Sequence, residues 1–272
     1  MGSVAYGVSG DTSDCDYYGF AIPPKKMVFP HLNGEIIGFG RQIQRFEQWQ
    51  QHHIFGDDNK EYDFSVYSIV RFFQLCMENN PNMVDALFTP NNCVVHCTHV
   101  GNLVRDNRKI FLHKGCWHKF KGYAYSQLHK LNRDPTGKRK ATVEKFGYDV
   151  KFAYHVVRLL NEVEQILEEG DLDLMRSKEQ LKTIRRGEWS EKQLRDYFDT
   201  KSNALEKLYS ESKLPYGPDE TEIKKLLIKC LESHYGSLGP DCLVNPDEAI
   251  SDLQKIKEIA SKWGPTSRNC TL

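Results

Sequence analysis

The sequence predicts an α/β fold of the α+β kind, a strand-bearing N-terminal part followed by a mostly helical C-terminal part. Two observations carry this. Residues 1–112 mix short β-prone runs with Gly, Pro and Asp/Asn punctuation, and from 113 onward apolar residues recur at helical spacing. The change of period divides the chain into 1–112 and 113–272.

Taken in order, Cys15 to Ile22 reads as a strand, and Glu61 to Val66 alternates in strand fashion. From Val66 to about Asn79 the residues Ile69, Val70, Phe72, Phe73, Leu75, Cys76 and Met77 make a strongly apolar helix, ended by Asn79-Asn80-Pro81. Such a helix packs on the sheet. Cys93 to Val100 again has strand character. Gly115 to Leu131 is helical, Asn132 to Lys140 is a polar break, and Tyr148 to Glu169 returns to helix with Phe152, Val156, Leu159, Val163, Ile166 and Leu167 on one side. Three later helices announce their starts: Ser190 with Gln193 forms a capping box, Asp219 with Glu222 a similar start, and Asp247 follows Pro246 before the stripe Ile250, Leu253, Ile256, Ile259.

The composition belongs to a soluble globular protein. Of 272 residues, 39% are hydrophobic and 27% charged, with mean hydropathy −0.59. No apolar run approaches the roughly 18 to 20 residues of a membrane span, and the first residues lack a basic-then-apolar leader, so the expected compartment is the cytoplasm. The eight cysteines are thinly scattered and read as thiols. Charge sums to zero, 37 basic against 37 acidic, which excludes a protein basic all over. The zero conceals a pattern. Residues 1–100 hold 6 basic and 11 acidic residues, residues 101–160 hold 14 and 4, and residues 161–272 hold 17 and 22. The basic middle also carries Trp117, Phe120, Tyr123, Tyr125, Phe146, Tyr148, Phe152 and Tyr154, and rings interleaved with Lys and Arg can stack bases while binding phosphates. Core rings under a solvated charged face are the other reading of the same stretch.

The chemistry-bearing residues cluster near the start, in Gly2-Ser3-Val4-Ala5-Tyr6-Gly7 and Ser13-Asp14-Cys15-Asp16. Asp14 and Asp16 are two apart, so on a strand both carboxylates share a face. Two acids side by side repel, and a hard divalent cation such as Mg²⁺ between them, completed by substrate phosphates, makes the pair tolerable. Glycine lets backbone approach closely, and backbone N–H groups with a serine hydroxyl can hold phosphate oxygens. A third carboxylate would complete a two-metal arrangement for phosphoryl or nucleotidyl transfer. Asp63 is the candidate, on the face opposite Tyr62 and Phe64; Asp57, Asp58 and Glu61 compete with it from a turn or its flank. An Asp-x-Asp spacing alone also fits a turn or a surface pair.

The combined pattern of Gly2-Ser3, Asp14-x-Asp16 and an isolated Asp63 resembles the DNA polymerase β-like nucleotidyltransferase superfamily. More closely, Gly-Ser-x-x-Tyr-Gly at 2–7, Ser-Asp-x-Asp-x-x-Gly at 13–19, Pro23-Pro24, Asn80-Pro81-Asn82 and the run Gly147 to Leu159 with Lys151, His155 and Arg158 look like nucleotidyltransferases of bacteria and phages, one branch of which is associated with RNA ligases. The resemblance covers roughly residues 2–190. It implies a nucleotidyltransferase core with a small mixed sheet in 1–112 and a helical domain in 113–272. It also implies Mg²⁺ or Mn²⁺ as cofactor, an NTP as substrate, and transfer of an NMP to a hydroxyl with release of pyrophosphate. An RNA end is the favoured acceptor, given the basic, aromatic 101–160 segment, with a protein hydroxyl or a small molecule as alternatives. By the same resemblance Gly2 and Ser3 hold the triphosphate, Asp14 and Asp16 the metals, and Asp63 the metal that activates the attacking hydroxyl.

One departure stands out. Members of the superfamily carry a helix and a strand ahead of Gly-Ser, whereas this sequence opens at Met1, which motivates the alternative of a catalytically weak NTP- or RNA-binding protein. In the helix from Tyr148, residues Lys151, His155, Arg158 and Glu162 fall at i, i+4, i+7 and i+11, one stripe away from the apolar side. Such a stripe is ordinarily a solvated face; under the resemblance, the helix at about 148–169 closes over the nucleotide, with Lys151 and Arg158 neutralising phosphate charge and His155 adding a hydrogen bond. Finally, Cys93-x-x-His96-Cys97-x-His99 and His113-x-x-Cys116-x-His118 have spacings compatible with zinc. The strand character of the first run turns His96 away from the others, so buried thiols with scattered histidines are the expectation.

Overall fold

A computed structural model describes residues 1–10, 13–29, 31, 34–40, 42, 45–57, 60–131, 139–236, 251 and 253–258. Two compact units are present, Met1–Cys230 and Leu231–Leu272. In the second, the described residues are the end of one helix and a helical stretch at 253–258 whose Leu253 and Ile256 are exposed. The start at Asp247 lies outside the described residues.

The first unit is mixed α/β. A short turn of helix α1 (Gly2–Ala5) leads into β1 (Cys15–Ala21), a four-residue α2 (Lys25–Val28), then β2 (Gln48–Phe55) and β3 (Glu61–Ser68). The sheet order is β1-β3-β2, with β1 parallel and β2 antiparallel to the central β3, so the sheet is small and mixed as expected. Alternation separates its faces. On one, Tyr17 stacks on Phe64 at 5.1 Å and on Tyr62 at 6.0 Å. The other carries Phe20, whose ring meets Phe72 of α3 (Ile69–Met77) at 5.1 Å and docks that helix on the sheet.

The apolar helix thus exists but begins later than the sequence indicates. Val66, Tyr67 and Ser68 belong to β3, where Tyr67 pairs with Gln48 and Ser68 with Ala21, and only then does the Ser68 hydroxyl accept from the Arg71 amide to start α3. Apolar residues suit a central strand and a buried helix alike, so the boundary is set by ladder pairing. At its other end Asn79 adopts φ +49° and donates to the Cys76 and Phe111 carbonyls, while Asn80 caps α4 (Pro81–Leu87).

Cys93 to Val100 is not a strand. Asn91–Cys93 form a 3₁₀ turn after Pro90, and the Thr98 hydroxyl accepts from the Gly101 amide to cap α5 (His99–Asp106). A strand needs a ladder partner, and here the local cap supplies the hydrogen bonding instead.

The rest is helical. α6 (Cys116–His129) buries Trp117, Phe120 and Ala124; α7 spans Arg139–Phe146, so helix resumes within the stretch read as a polar break, of which 132–138 lie outside the described residues. α8 (Val150–Glu169), capped by Asp149 and stopped by Gly170 at φ +60°, is the axis around which α6, α9 (Lys178–Arg185) and α10 (Glu191–Glu211) pack. α10 starts on the full Ser190/Gln193 capping box, and α11 (Glu220–Tyr235) on Asp219, whose carboxylate accepts from Thr221 and Glu222.

This enclosure overturns one expectation. The polar stripe of α8 is not a solvated face: Lys151 is exposed and His155 half-buried, but Arg158 and Glu162 are each 3% exposed. The Arg158 guanidinium pairs with Asp85 of α4, donates to Glu162 at 3.0 Å and to the Tyr6 hydroxyl at 2.8 Å. Tyr6 in turn donates to Asp85 at 2.5 Å. Partners 73 and 152 residues away in sequence draw the stripe inward. Two carboxylates share one guanidinium there, and burial pushes the Glu162 carboxyl well above its ordinary range.

Candidate active site

The first turn of the chain sits directly on β1. Gly2 adopts φ +60°, and a Cβ on it would lie 1.9 Å from Asp16 Oδ2, so only glycine fits. The Met1 nitrogen donates to the Asp16 carbonyl at 2.6 Å, and the Val8 amide to the Ser3 carbonyl at 2.9 Å, closing the turn; Arg185 of α9 then donates to the Val8 carbonyl at 2.5 Å. Gly2-Ser3 is thereby held against the Asp16 carboxylate, and Ser3 follows it on α1.

In the parallel β1/β3 ladder, Asp16 is the register partner of Asp63. Paired residues project to the same face, so the two carboxylates stand side by side. Asp14 immediately precedes β1. Burial raises the Asp16 carboxyl above its ordinary value; the Met1 ammonium and Lys151 lower it, while Asp63 and Asp14 add to the rise. Asp16 therefore feels both other acids, and Lys151 from the first turn of α8 faces the same place. Asp16 and Asp63, paired across β1 and β3, with Asp14 just ahead of β1, are hard oxygen donors of the kind that suits Mg²⁺ or Mn²⁺.

Asp63 has further company. The β2/β3 register skips between Gln51 and Ile54, a β-bulge that sets His52 and His53 opposite Asp63. The His53 amide donates to Asp63 Oδ1 at 2.9 Å, His52 Nδ1 lies 3.4 Å from Asp63 Oδ2, and the His53 ring meets Glu61. Among the described residues, His53, Glu61 and Asp63 form the group of possible metal ligands whose donor atoms all lie within 4.8 Å of one another. Asp14 and Asp16 are outside that group. The two histidines carry no sequence signal for this role, because a bulge is invisible in the alternation of side chains.

Next to the carboxylates, Tyr18 is linked to Ser65, and burial pushes its hydroxyl up to about 12. Gln50 donates to Ser65 at 3.4 Å and to the Tyr67 hydroxyl at 3.3 Å. A cavity of about 600 Å³ lies along the free edge of β1, lined by Met1, Asp16, Tyr18, Phe20, Cys93 and Arg105 among others. Facing Asp16 from the helical side, Lys151 is joined by His155, whose Nδ1 is sealed from solvent without a hydrogen-bond partner. Burial lowers the His155 imidazole well below its ordinary value, and Arg158, Lys151, Arg185 and Lys130 push the same way. Arg185 and Lys130 are thus cationic neighbours of His155 that the α8 stripe alone does not reveal. Arg158 is nearby but spent on Asp85 and Glu162. Of the Cys/His clusters, Cys97 donates to Asn102, and His113 is held by the Met77 carbonyl and the Gly115 amide; the six cysteines described are free thiols.

A Gly-Ser turn is pressed on an Asp-x-Asp strand, a third Asp stands in register on the neighbouring strand, and Lys151 starts the helix opposite, on a small mixed sheet of the kind expected of a nucleotidyltransferase core. The comparison of families agrees: residues 1–217 match RlaP, the RNA repair pathway DNA polymerase beta family, and the chain belongs to it. No curated protein and no solved structure gives a significant match.

Proposed function

We propose that the protein is a metal-dependent nucleotidyltransferase that moves an NMP from an NTP to a hydroxyl, with an RNA end as the acceptor, in a cytoplasmic setting suited to its free thiols. The observation that supports this most is the Asp16–Asp63 register pair with Gly2 packed onto the Asp16 carboxylate. In this reading the acceptor oxygen bonds to the α-phosphorus, the bond from that phosphorus to the bridging oxygen breaks, pyrophosphate leaves with the electron pair, and the hydroxyl proton passes to solvent. Bound Mg²⁺ or Mn²⁺ supplies positive charge to the phosphates and acidifies the acceptor hydroxyl. Asp14, Asp16 and Asp63 hold it, and Gly2 with Ser3 receives the triphosphate on backbone N–H groups and the serine hydroxyl. Residues 1–112 then carry the carboxylates and 113 onward the closing face at about 148–169, where Lys151 and His155 meet the phosphates. Arg158 belongs to the positioning of that face: it ties α8 to Tyr6, four residues beyond Gly2.

The RNA end is supported by the family's place in RNA repair and by the 14 basic against 4 acidic residues of 101–160. The test is to supply each α-labelled NTP with Mg²⁺ or Mn²⁺ and, separately, RNA, cell protein and small-molecule fractions. Label is expected in RNA and absent with Asp14→Asn/Asp16→Asn. Label in protein moves the acceptor to a protein hydroxyl, and no label in any fraction favours an NTP- or RNA-binding protein on this fold.

A further inference from the structure

We infer that the Asp63 end of the site is a mixed imidazole–carboxylate cation site built from His53, Glu61 and Asp63, and that it takes a first-row transition dication such as Mn²⁺ in preference to Mg²⁺. The inference rests on the reading of Asp63 as a carboxylate of a metal-dependent transferase, and it adds the ligands that set the choice of metal. Three different side chains each offer one donor atom, and all three atoms lie within 4.8 Å of one another. Ligand atoms at about 2.0–2.3 Å from a common ion lie about 3–4.5 Å apart, so the group needs only a small contraction to close on a cation.

The arrangement is a product of the bulge. An unbroken β2 would place His52 and His53 on opposite faces; the register skip sets both opposite Asp63, with the His53 amide fixed on Asp63 Oδ1 at 2.9 Å. The His53 side chain is 78% exposed, so an ion reaches it from solvent, whereas Glu61 is 12% exposed and Asp63 23%. The independent indication that a cation belongs here is the ladder: Asp63 is the register partner of Asp16, in a chain of the RNA repair pathway DNA polymerase beta family.

The donor set decides the ion. Mg²⁺ prefers an all-oxygen octahedron and keeps its waters, whereas imidazole nitrogen favours first-row transition metals in the order that rises from Mn²⁺. One nitrogen among two carboxylates is still hard enough for Mn²⁺. A purely carboxylate site would discriminate less, since oxygen donors suit Mg²⁺ and Mn²⁺ alike.

The experiment is direct metal binding to the full chain without nucleotide, following free Mn²⁺ by electron paramagnetic resonance and displacing it with Mg²⁺. Wild type is expected to hold one Mn²⁺ at least about 10-fold more tightly than Mg²⁺, and His53→Asn, an amide that tolerates the φ of +59° there, to weaken Mn²⁺ by about 10-fold or more while leaving Mg²⁺ nearly unchanged. Glu61→Gln should weaken both ions. An unchanged Mn²⁺/Mg²⁺ ratio in His53→Asn overturns the inference. The broader reading is tested separately: label transfer that is present in wild type and lost in Asp14→Asn/Asp16→Asn keeps it standing even when the ratio does not move, and absence of transfer with either metal removes it.

Discussion

At the scale of single residues, Gly2 and His155 make the sharpest claims. Gly2→Ala would put a methyl group 1.9 Å from Asp16 Oδ2 at a backbone φ of +60°, so either the turn or the carboxylate must shift. A displacement of about 1 Å at a reacting centre costs on the order of 100-fold in rate, and kcat/KM for nucleotidyl transfer is expected to fall by that order while the melting temperature changes by only a few degrees. His155 predicts a pH effect on stability. Its folded imidazole is held well below the ordinary 6.5 by burial and by Arg158, Lys151, Arg185 and Lys130. Above the ordinary value both folded and unfolded forms are neutral; below it the unfolded chain binds a proton that the folded one refuses, so stability falls as pH drops. Between pH 6.5 and 5.5 this group removes about 1 kcal/mol. Glu162 acts in the opposite sense, because its raised carboxyl takes up a proton in the folded state first. Urea unfolding of wild type and His155→Gln at both pH values isolates the histidine, and the variant should lose about 1 kcal/mol less on acidification.

At the scale of elements, α8 shows what holds the site in place. Arg158→Met removes the guanidinium shared by Asp85 and Glu162, leaves two carboxyls facing each other in the interior, and should cost about 3–5 kcal/mol in urea unfolding. Tyr6→Phe, which leaves the ion pair in place, should cost only about 1–2 kcal/mol. These elements also mark where the sequence is legible. The capping box at Ser190, the Asp219 start, the helices of α6 and α8, and the alternation that exposes Asp63 are local patterns, and each appears in the fold. The misreadings share a different origin. Val66–Ser68 became strand through pairing with β1 and β2, Cys93–Val100 lost a strand for want of a ladder partner, and the Arg158 stripe turned inward because of Asp85 on α4. His52 and His53 reached Asp63 through a bulge. Long-range pairing decided each case, and periodicity within one element carries no information about it.

At the scale of the molecule, a net charge of zero resolves into an acidic first hundred residues, a basic 101–160 and an acidic remainder. Asp16 and Asp63 lie on paired strands, Lys151 opens α8 opposite them, and Arg185 and Lys130 add charge around His155. Neutralising Lys130 and Lys151 together should weaken NTP binding by about 10-fold or more and lower its salt dependence, since each charge-assisted contact to phosphate is worth about 1.5–3 kcal/mol when desolvated. No helix among the described residues is long and apolar enough to cross a membrane. The central claim is that the carboxylates of β1 and β3 direct transfer of a nucleoside monophosphate. The measurement that addresses it is parallel incubation with α-labelled and γ-labelled NTP in the presence of Mg²⁺ or Mn²⁺ and RNA. The account predicts that the α-label enters the acceptor, that the γ-label leaves as pyrophosphate, and that Asp16→Asn abolishes both. Entry of the γ-label into the acceptor, or α-label transfer that survives Asp16→Asn, would contradict it.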